Sequence, residues 1–476
     1  MKYSKYAICG LFCLTGLAVA QPMGSGVDSI VAPEAADESA QAAPAPLGAA
    51  VRTRFVVLPA LDEEEMLAGT QAAGPALQIG AARPVAATSS VAQTSSALDW
   101  AALPGGELVA AINIQSPGAY GLRAGVLVES LPDGALLRVY SQEHPDAIIE
   151  HHGAEINALL ALNKQAGETG AAANTWWTPE VGAGDATVEV VLPVGTAPEA
   201  LRMSVPLVSH IYQNLSLPTD AEWADMPQPG TAQAESCQLD ATCSTEHPVL
   251  RNAVARMLYT RPDGLSYLCT GTLLNNTRNN FVPFFLTANH CISEQSAASS
   301  LQTRWFYRST SCDSGVARPH ATRHGGATLL LATDKTDSTL LRLNERPPAG
   351  VTFAGWDENL LPIDAPIHSL HHPRGGLLKY HVGMVDNYAA CESDSETTFQ
   401  CQVGDANGGY YRVRMTEGAA EGGSSGSALF LGDRVVGTLW GGSHSCTALI
   451  GFNFYGRLDL FFAEGASRWL APENAL

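Results

Sequence analysis

Residues 421–430 read Glu421-Gly422-Gly423-Ser424-Ser425-Gly426-Ser427-Ala428-Leu429-Phe430, a serine in a glycine-rich turn that runs into an apolar strand. A serine hydroxyl is inert unless the turn exposes it, backbone N–H groups face the developing oxyanion and a base lies within reach. The strand context decides between two folds. Gly422-Gly423-Ser424-Ser425-Gly426 also fits the G-x-S-x-G elbow of an esterase-type α/β fold, with Ser424 as nucleophile, but that elbow needs a helix after the serine and an acid and a histidine downstream. Here Leu429-Phe430-Leu431 and Val435-Val436-Gly437-Thr438-Leu439 flank Gly432-Asp433-Arg434, which predicts a β-hairpin, and the one downstream histidine is His444. The serine therefore belongs to an all-β unit.

Two upstream segments supply partners. Phe284-Phe285-Leu286-Thr287-Ala288-Asn289-His290-Cys291 places a histidine at a strand end beside a cysteine, and Thr336-Asp337-Ser338-Thr339-Leu340-Leu341 places an aspartate at the head of another apolar strand. A general base must hold its ring within hydrogen-bond reach of a hydroxyl, and a carboxylate can orient that ring. Each residue alone suits an ordinary structural role. The conjunction predicts His290, Asp337 and Ser425 as a triad, with the amides of Gly423 and Ser425 as an oxyanion hole.

The chain has 476 residues and a net charge of -20, which argues against nucleic acid or an anionic membrane surface as partner. About 18 basic and 23 acidic residues lie after residue 234, against about 9 and 24 before it, so the N-terminal part carries most of the acidity. Lys2 and Lys5, the apolar run Ala7 to Ala20 and the ending Ala18-Val19-Ala20 read as a secretory signal peptide over residues 1–20. No later stretch approaches the ~20 apolar residues of a membrane span. The expected location is extracellular.

Cys9 and Cys13 fall in the signal peptide; the remaining cysteines, 237, 243, 269, 291, 312, 391, 401 and 446, are confined to the C-terminal half. An even set in an exported chain predicts a disulfide framework, and the absence of any Cys-x-x-Cys disfavours zinc. The residues alone leave the pairing open. No metal or cofactor is expected, and the His371-His372 and His151-His152 pairs are read as structural.

Residues 21–100 are rich in Ala, Pro, Gly and Ser and are expected to be largely flexible, with one strand at Arg54-Phe55-Val56-Val57-Leu58. Over 101–232, short alternating runs (Leu108 to Ile114, Tyr120 to Val128, Ala135 to Tyr140, Ala186 to Leu192) predict a β-sandwich-like pro-region. Ile156 to Leu162 fits strand or helix. Residues 217–236 form a polar, Pro-containing joint without a basic residue, and a boundary is placed there, giving a last unit over 233–476 that ends in a helix at Leu458 to Leu470.

Residues 237 to about 470 resemble the secreted bacterial lysyl endopeptidases among the trypsin-like serine proteases. The resemblance rests on Cys237-Gln238-Leu239-Asp240-Ala241-Thr242-Cys243, Cys269-Thr270-Gly271-Thr272-Leu273-Leu274-Asn275, Leu286-Thr287-Ala288-Asn289-His290-Cys291, Ala354-Gly355-Trp356-Asp357, His371-His372-Pro373, Gly423-Ser424-Ser425-Gly426-Ser427 and Tyr455-Gly456-Arg457. It implies two six-stranded antiparallel β-barrels with the site between them. It also implies disulfides Cys237–Cys446, Cys243–Cys312 and Cys269–Cys291, with Cys391 and Cys401 left for each other.

The resemblance makes Trp440, Gly441 and Gly442 a segment that binds substrate backbone. In the specificity pocket the chain departs from its relatives: Asn453 stands where lysyl endopeptidases keep an aspartate for the substrate's ammonium, and Ala419 where trypsin keeps its own. The expected preference at P1, the substrate residue before the cut, is accordingly for small or neutral residues over lysine. The expected protein is a monomeric secreted endopeptidase acting on polypeptides and bound by its own pro-region. The competing expectation is a catalytically inactive, protease-like binding protein.

Overall fold

Strand-forming sequence dominates, and the computed structural model describes residues 26–33, 44–47, 51–61, 76–215, 237–393, 399–448 and 450–472. The expected signal peptide and the joint at 217–236 lie outside the described residues. The C-terminal half builds one closed barrel and one half-barrel. In the closed barrel the strands Lys379–Ser393, Pro366–His371, Ala428–Leu431, Arg434–Gly442, Phe452–Arg457 and Tyr410–Glu417 succeed one another antiparallel, and the last pairs back onto the first. Inward residues of these strands, among them Ile367, Val385, Tyr411, Val413, Leu429 and Val436, fill its core. Alternation along each strand puts these residues on one face, as a half-buried sheet requires.

In the half-barrel the order is Ala321–Arg323, Gln302–Trp305, Val254–Thr260, Ser266–Leu274, Phe284–Ala288, Ser338–Leu343 and Ala327–Thr333, and the two end strands do not pair with each other. Its core holds Met257, Tyr259, Phe285, Trp305 and Leu341. A third cluster, with Leu286, Leu340, Trp356, Phe430 and Val435, receives Leu458, Phe461 and Leu470 from the C-terminal helical segment and joins the two barrels. Four disulfides, Cys237–Cys446, Cys243–Cys312, Cys269–Cys291 and Cys391–Cys401, staple this half.

The N-terminal half packs two sheets face to face. One contains Leu108–Gln115, Asp185–Leu192, Leu136–Tyr140 and Ile149–His152, with Thr53–Val57 at its edge; the other runs Leu77–Pro84, Arg202–Ile211, Gly121–Ser130, Thr175–Trp177. Between them lies a core of Ile112, Val188, Val190 and Leu137 against Leu122, Val126, Met203 and Val208. Ile156 to Leu162 is helical, inside Gly153–Gln165, and buries Ile156, Leu159 and Leu160.

Residues 21–100 are expected to be largely flexible, yet among the described residues of this stretch lie the strands Ile30–Val31, Thr53–Val57 and Leu77–Pro84 and the helix Val91–Ala97. The signal was hidden because Leu77–Pro84 uses small residues where backbones approach closely. A Cβ on Gly80 would meet Ser209 Oγ at 2.8 Å and the Ser266 Cβ at 2.9 Å. The two halves on either side of 217–236 nevertheless share one sheet. Leu77–Pro84 pairs on one edge with Arg202–Ile211 and on the other with Ser266–Leu268, so one sheet runs continuously from the N-terminal half into the half-barrel.

Candidate active site

The turn at 421–427 is pinned from both barrels. Thr270 N donates to Ser425 O at 2.8 Å and Thr270 Oγ1 to Gly423 O at 2.8 Å, from the half-barrel. Gly426 N donates to Leu439 O and Leu439 N to Ser427 O, both at 2.9 Å, from the closed barrel. Gly426, at φ +81°, has no room for a side chain, since a Cβ would meet Thr287 Oγ1 at 2.3 Å and Thr270 O at 2.5 Å. Gly423, at φ +90°, takes the left-handed region that a side chain disfavours. Its N–H has no acceptor among the described residues.

The two serines of the turn have different surroundings. Ser424 is fully enclosed: its Oγ accepts from Glu421 N and lies 2.7 Å from His371 Nδ1. His371 Nε2 in turn lies 3.2 Å from His381 Nδ1, and His381 Nε2 2.6 Å from Tyr455 Oη. Burial holds His371 well below its ordinary pKa and His381 at about 3, so this buried rail is neutral. Ser424 thus anchors the turn, and the chain continues from it into the strand Ala428–Leu431, not into a helix. Ser425 is 5 % exposed.

His290 leaves the strand Phe284–Ala288 and is followed by Cys291, whose disulfide partner Cys269 precedes Thr270. One covalent link thereby couples the histidine's loop to the residue that binds the Ser425 carbonyl. Asp337 holds His290 twice. Oδ1 accepts the His290 backbone N–H at 2.8 Å, and Oδ2 lies 2.6 Å from Nδ1. A carboxylate at Nδ1 places the ring's proton there and leaves Nε2 as an acceptor. Nε2 is buried and has no hydrogen-bond partner among the described residues. Asp337 is 4 % exposed and sits at φ +45°, a left-handed conformation uncommon outside glycine that the surrounding bonds must maintain.

His290, Asp337 and Trp440 line a cleft of about 970 Å³ together with Arg261, Tyr267 and Tyr410. Trp440 is stacked between Phe399 (4.3 Å) and Tyr410 (4.7 Å). Two further lining residues, Ala76 and Gln78, come from the N-terminal half. The strand Leu77–Pro84, which Ala76 precedes, pairs antiparallel with Tyr267 and Leu268, the residues just before Cys269. Tyr212 Oη donates to Gln78 O at 3.0 Å, and Gln213 Nε2 donates to Arg374 O at 2.7 Å. Arg374 Nε donates to Glu421 Oε1 at 2.8 Å, at the base of the serine turn.

Ala419 and Asn453 are buried and are not among the cleft's lining residues. Asn453 is 1 % exposed, and both Oδ1 and Nδ2 lack partners among the described residues. It borders Gly442, where a Cβ would meet Asn453 Oδ1 at 2.3 Å; Gly441 pairs with Phe454 beside it. All eight cysteines after residue 236 are in disulfides and offer no thiolate to a metal. His372, held at about 3 by burial, lies with its Nδ1 2.8 Å from Gly376 O. Sequence reasoning missed Thr270 and the His371–His381–Tyr455 rail, since neither sits at a recognisable spacing from the serine.

Residues 231–456 match the family described as Lysyl endopeptidase, C-terminal domain, and residues 57–212 match Lysyl endopeptidase N-terminal domain. A curated lysyl endopeptidase of Pseudomonas aeruginosa is 35% identical over 369 residues, which cover 74% of this chain and 72% of that protein. The chain belongs to the lysyl endopeptidase family. It is accordingly a serine endopeptidase, and the match extends over both halves of the molecule. Among solved structures, a protease of M. tuberculosis in its active form aligns at 14% identity and a TM-score of 0.32, covering 52% of this chain and 93% of that one. A chymotrypsin of Cellulomonas bogoriensis aligns at 16% identity and a TM-score of 0.25, covering 40% and 86%.

Proposed function

We propose that this chain is the precursor of a secreted, monomeric serine endopeptidase in which His290, Asp337 and Ser425 form the triad. The observation that carries the proposal is the His290 ring clasped by Asp337 at Nδ1, with Nε2 buried and unpartnered and a glycine-bounded serine turn tied to the same disulfide. Ser425 Oγ attacks the scissile carbonyl as His290 Nε2 takes its proton, and Asp337 stabilises the imidazolium. The Gly423 and Ser425 amides face the oxyanion. The proton then passes to the leaving amine, and water releases the acyl group by the same steps in reverse order. Removing one oxyanion donor of this kind costs about 100-fold or more in rate.

Residues 21 to about 232 act as a pro-region that blocks the cleft. Support comes from Ala76 and Gln78 in the cleft wall and from the antiparallel pairing beside Cys269, which uses the strand edge that an extended peptide would add to. The four disulfides fit an exported protein, and no helix among the described residues is long and apolar enough to cross a membrane.

The P1 preference is for small or neutral residues over lysine. Asn453 offers an uncharged amide, and Glu421 is engaged by Arg374 and Gln238. A lysine entering such a pocket loses its hydration without gaining a charge partner. The joint fits self-cleavage with this preference, because no Lys or Arg occurs between Arg202 and Arg251. Profiling cleavage of a peptide library by the matured enzyme tests the proposal. Cuts after small or neutral residues that vanish in Ser425→Ala are expected; cuts confined to Lys-X bonds would overturn the specificity, and activity surviving in Ser425→Ala would overturn the mechanism.

A further inference from the structure

Residues 26–32 precede both family-matched spans, yet they are built into the C-terminal half as an added strand. Val27 and Trp356 exchange backbone hydrogen bonds at 2.9 Å each way, and Ala32 N donates to Val351 O at 2.9 Å. Ile30 pairs antiparallel with Phe353, and Val31 with Thr352. Side chains add to the ladder: Asn275 Nδ2 donates to Asp28 O at 2.9 Å, Gly355 N donates to Ser29 Oγ at 2.8 Å, and Arg434 Nη2 lies 2.8 Å from Asp28 Oδ1. Ile30 and Ala32 pack on the half-barrel core, and Val27 on the cluster that joins the barrels.

The seat is shaped for a peptide backbone. A Cβ on Gly355 would meet Val27 O at 2.2 Å, Asp28 C at 2.8 Å and Ser29 N at 2.8 Å, and all three atoms belong to the arm. From the other side, a Cβ on Gly26 would meet Arg434 Nη1 at 2.6 Å and Trp356 O at 2.8 Å. The seat lies on the crossover between the half-barrel and the closed barrel, and none of its residues lines the cleft that holds His290.

We propose that the crossover 351–356, with Asn275 and Arg434, is a peptide-binding groove separate from the active-site cleft, and that residues 26–32 occupy it to retain the pro-region after the joint is cut. The proposal rests on the precursor reading above. The groove selects an extended segment with a small first residue, a carboxylate at the third position, a hydroxyl at the fourth and an apolar fifth, which is the pattern of Gly26-Val27-Asp28-Ser29-Ile30. With the arm in this groove, and the face around Leu77–Pro84 docked on the half-barrel by the pairing at Ser266–Leu268 and by bonds such as Arg123 to Thr260 and Ser300 and Gln213 to Arg374, the pro-region is held through two separate patches. Release of either leaves it tethered at high effective concentration to the other, so loss of one anchor speeds dissociation far more than its own contacts suggest.

The test uses the full chain carrying Ser425→Ala, with a cleavage sequence for an added protease placed in the joint, so that nicking does not depend on the chain's own activity. Dissociation of the pro-region after nicking is monitored by native mass spectrometry. In this background Gly355→Ala is expected to speed release at least about tenfold. Asp28→Arg and Arg434→Asp should each speed it a few-fold, as suits an ion pair whose aspartate is 86% exposed, and combined they should restore the parent rate. Should Gly355→Ala lose its fold, judged by thermal melting, deletion of residues 21–33 carries the same expectation. Release at the parent rate from the folded Gly355→Ala chain or from the deletion overturns the proposal. Because the nick is made in trans, either outcome is independent of whether Ser425 is the nucleophile.

Discussion

Replacing Ile79 by alanine should loosen the hold of the proposed pro-region on the cleft by a calculable amount. Ile79 is fully buried in a cluster formed by Ile211 and Leu215 of the N-terminal half and Leu258 and Leu268 of the half-barrel. Truncating a buried isoleucine to alanine costs about 2–5 kcal/mol, through lost transfer energy and the cavity left behind. Half of Ile79's partners in the cluster lie across the interface, so about 1–2.5 kcal/mol falls on association. At about 1.4 kcal/mol per factor of ten, inhibition by the pro-region weakens about 5- to 60-fold. The assay titrates released pro-region against matured enzyme with a peptide substrate. Ile112→Ala serves as the control, since Ile112 lies in the core between the two N-terminal sheets and away from the interface. It should lower the pro-region's melting temperature while leaving the inhibition constant of the folded fraction within about twofold. An Ile79→Ala pro-region that remains folded and inhibits as tightly as the parent would refute the role given to this strand.

Other perturbations bear on different parts of the site. On the proposed place of Asn453 in the specificity pocket, Asn453→Asp should raise kcat/KM for a lysine at P1 by about tenfold or more relative to alanine at P1, measured on paired peptide substrates; an unchanged ratio would remove Asn453 from the pocket. Removing the Cys269–Cys291 disulfide, with its separation of 22 residues, should cost about 3 kcal/mol of stability and depress kcat more than it raises KM, because it frees the loop of His290; equal effects on both would contradict its positioning role. His372 and His381 are held at about 3 when folded, against about 6.5 unfolded, so the unfolded state binds more protons between these values. Their contribution is therefore complete above pH 6.5 and is lost as pH falls toward 3. From pH 7 to 5 the two together should remove about 4 kcal/mol from the urea-unfolding free energy of the Ser425→Ala chain, and a flat profile over that range would show them solvated.

The parts of the site visible in the sequence are those whose chemistry depends on local context. The serine turn announces itself because glycines must bracket it, and the Gly432-Asp433-Arg434 turn forces the next segment to return as a strand. Strands such as Leu108–Gln115 and Asp185–Leu192 were legible from their apolar runs between turn residues. The features that escaped depend on contacts far apart in sequence. Leu77–Pro84 looks like linker because its small side chains are needed for close packing, and its pairing with Ser266–Leu268 spans nearly two hundred residues. The arm at 26–32 is shorter still, and its meaning lies wholly in the shape of its seat around Gly355. Likewise the rail of His371, His381 and Tyr455 comes from three strands that only the closed barrel brings together.

The most direct test of the central claim is labelling with an organofluorophosphate and locating the adduct by peptide mass spectrometry. A single adduct on Ser425 is expected, absent from the neighbouring Ser424, lost in Ser425→Ala and in His290→Ala, and much slower to form while the pro-region remains bound. An adduct on Ser424, or no adduct on a matured chain that cleaves peptides, would contradict the account.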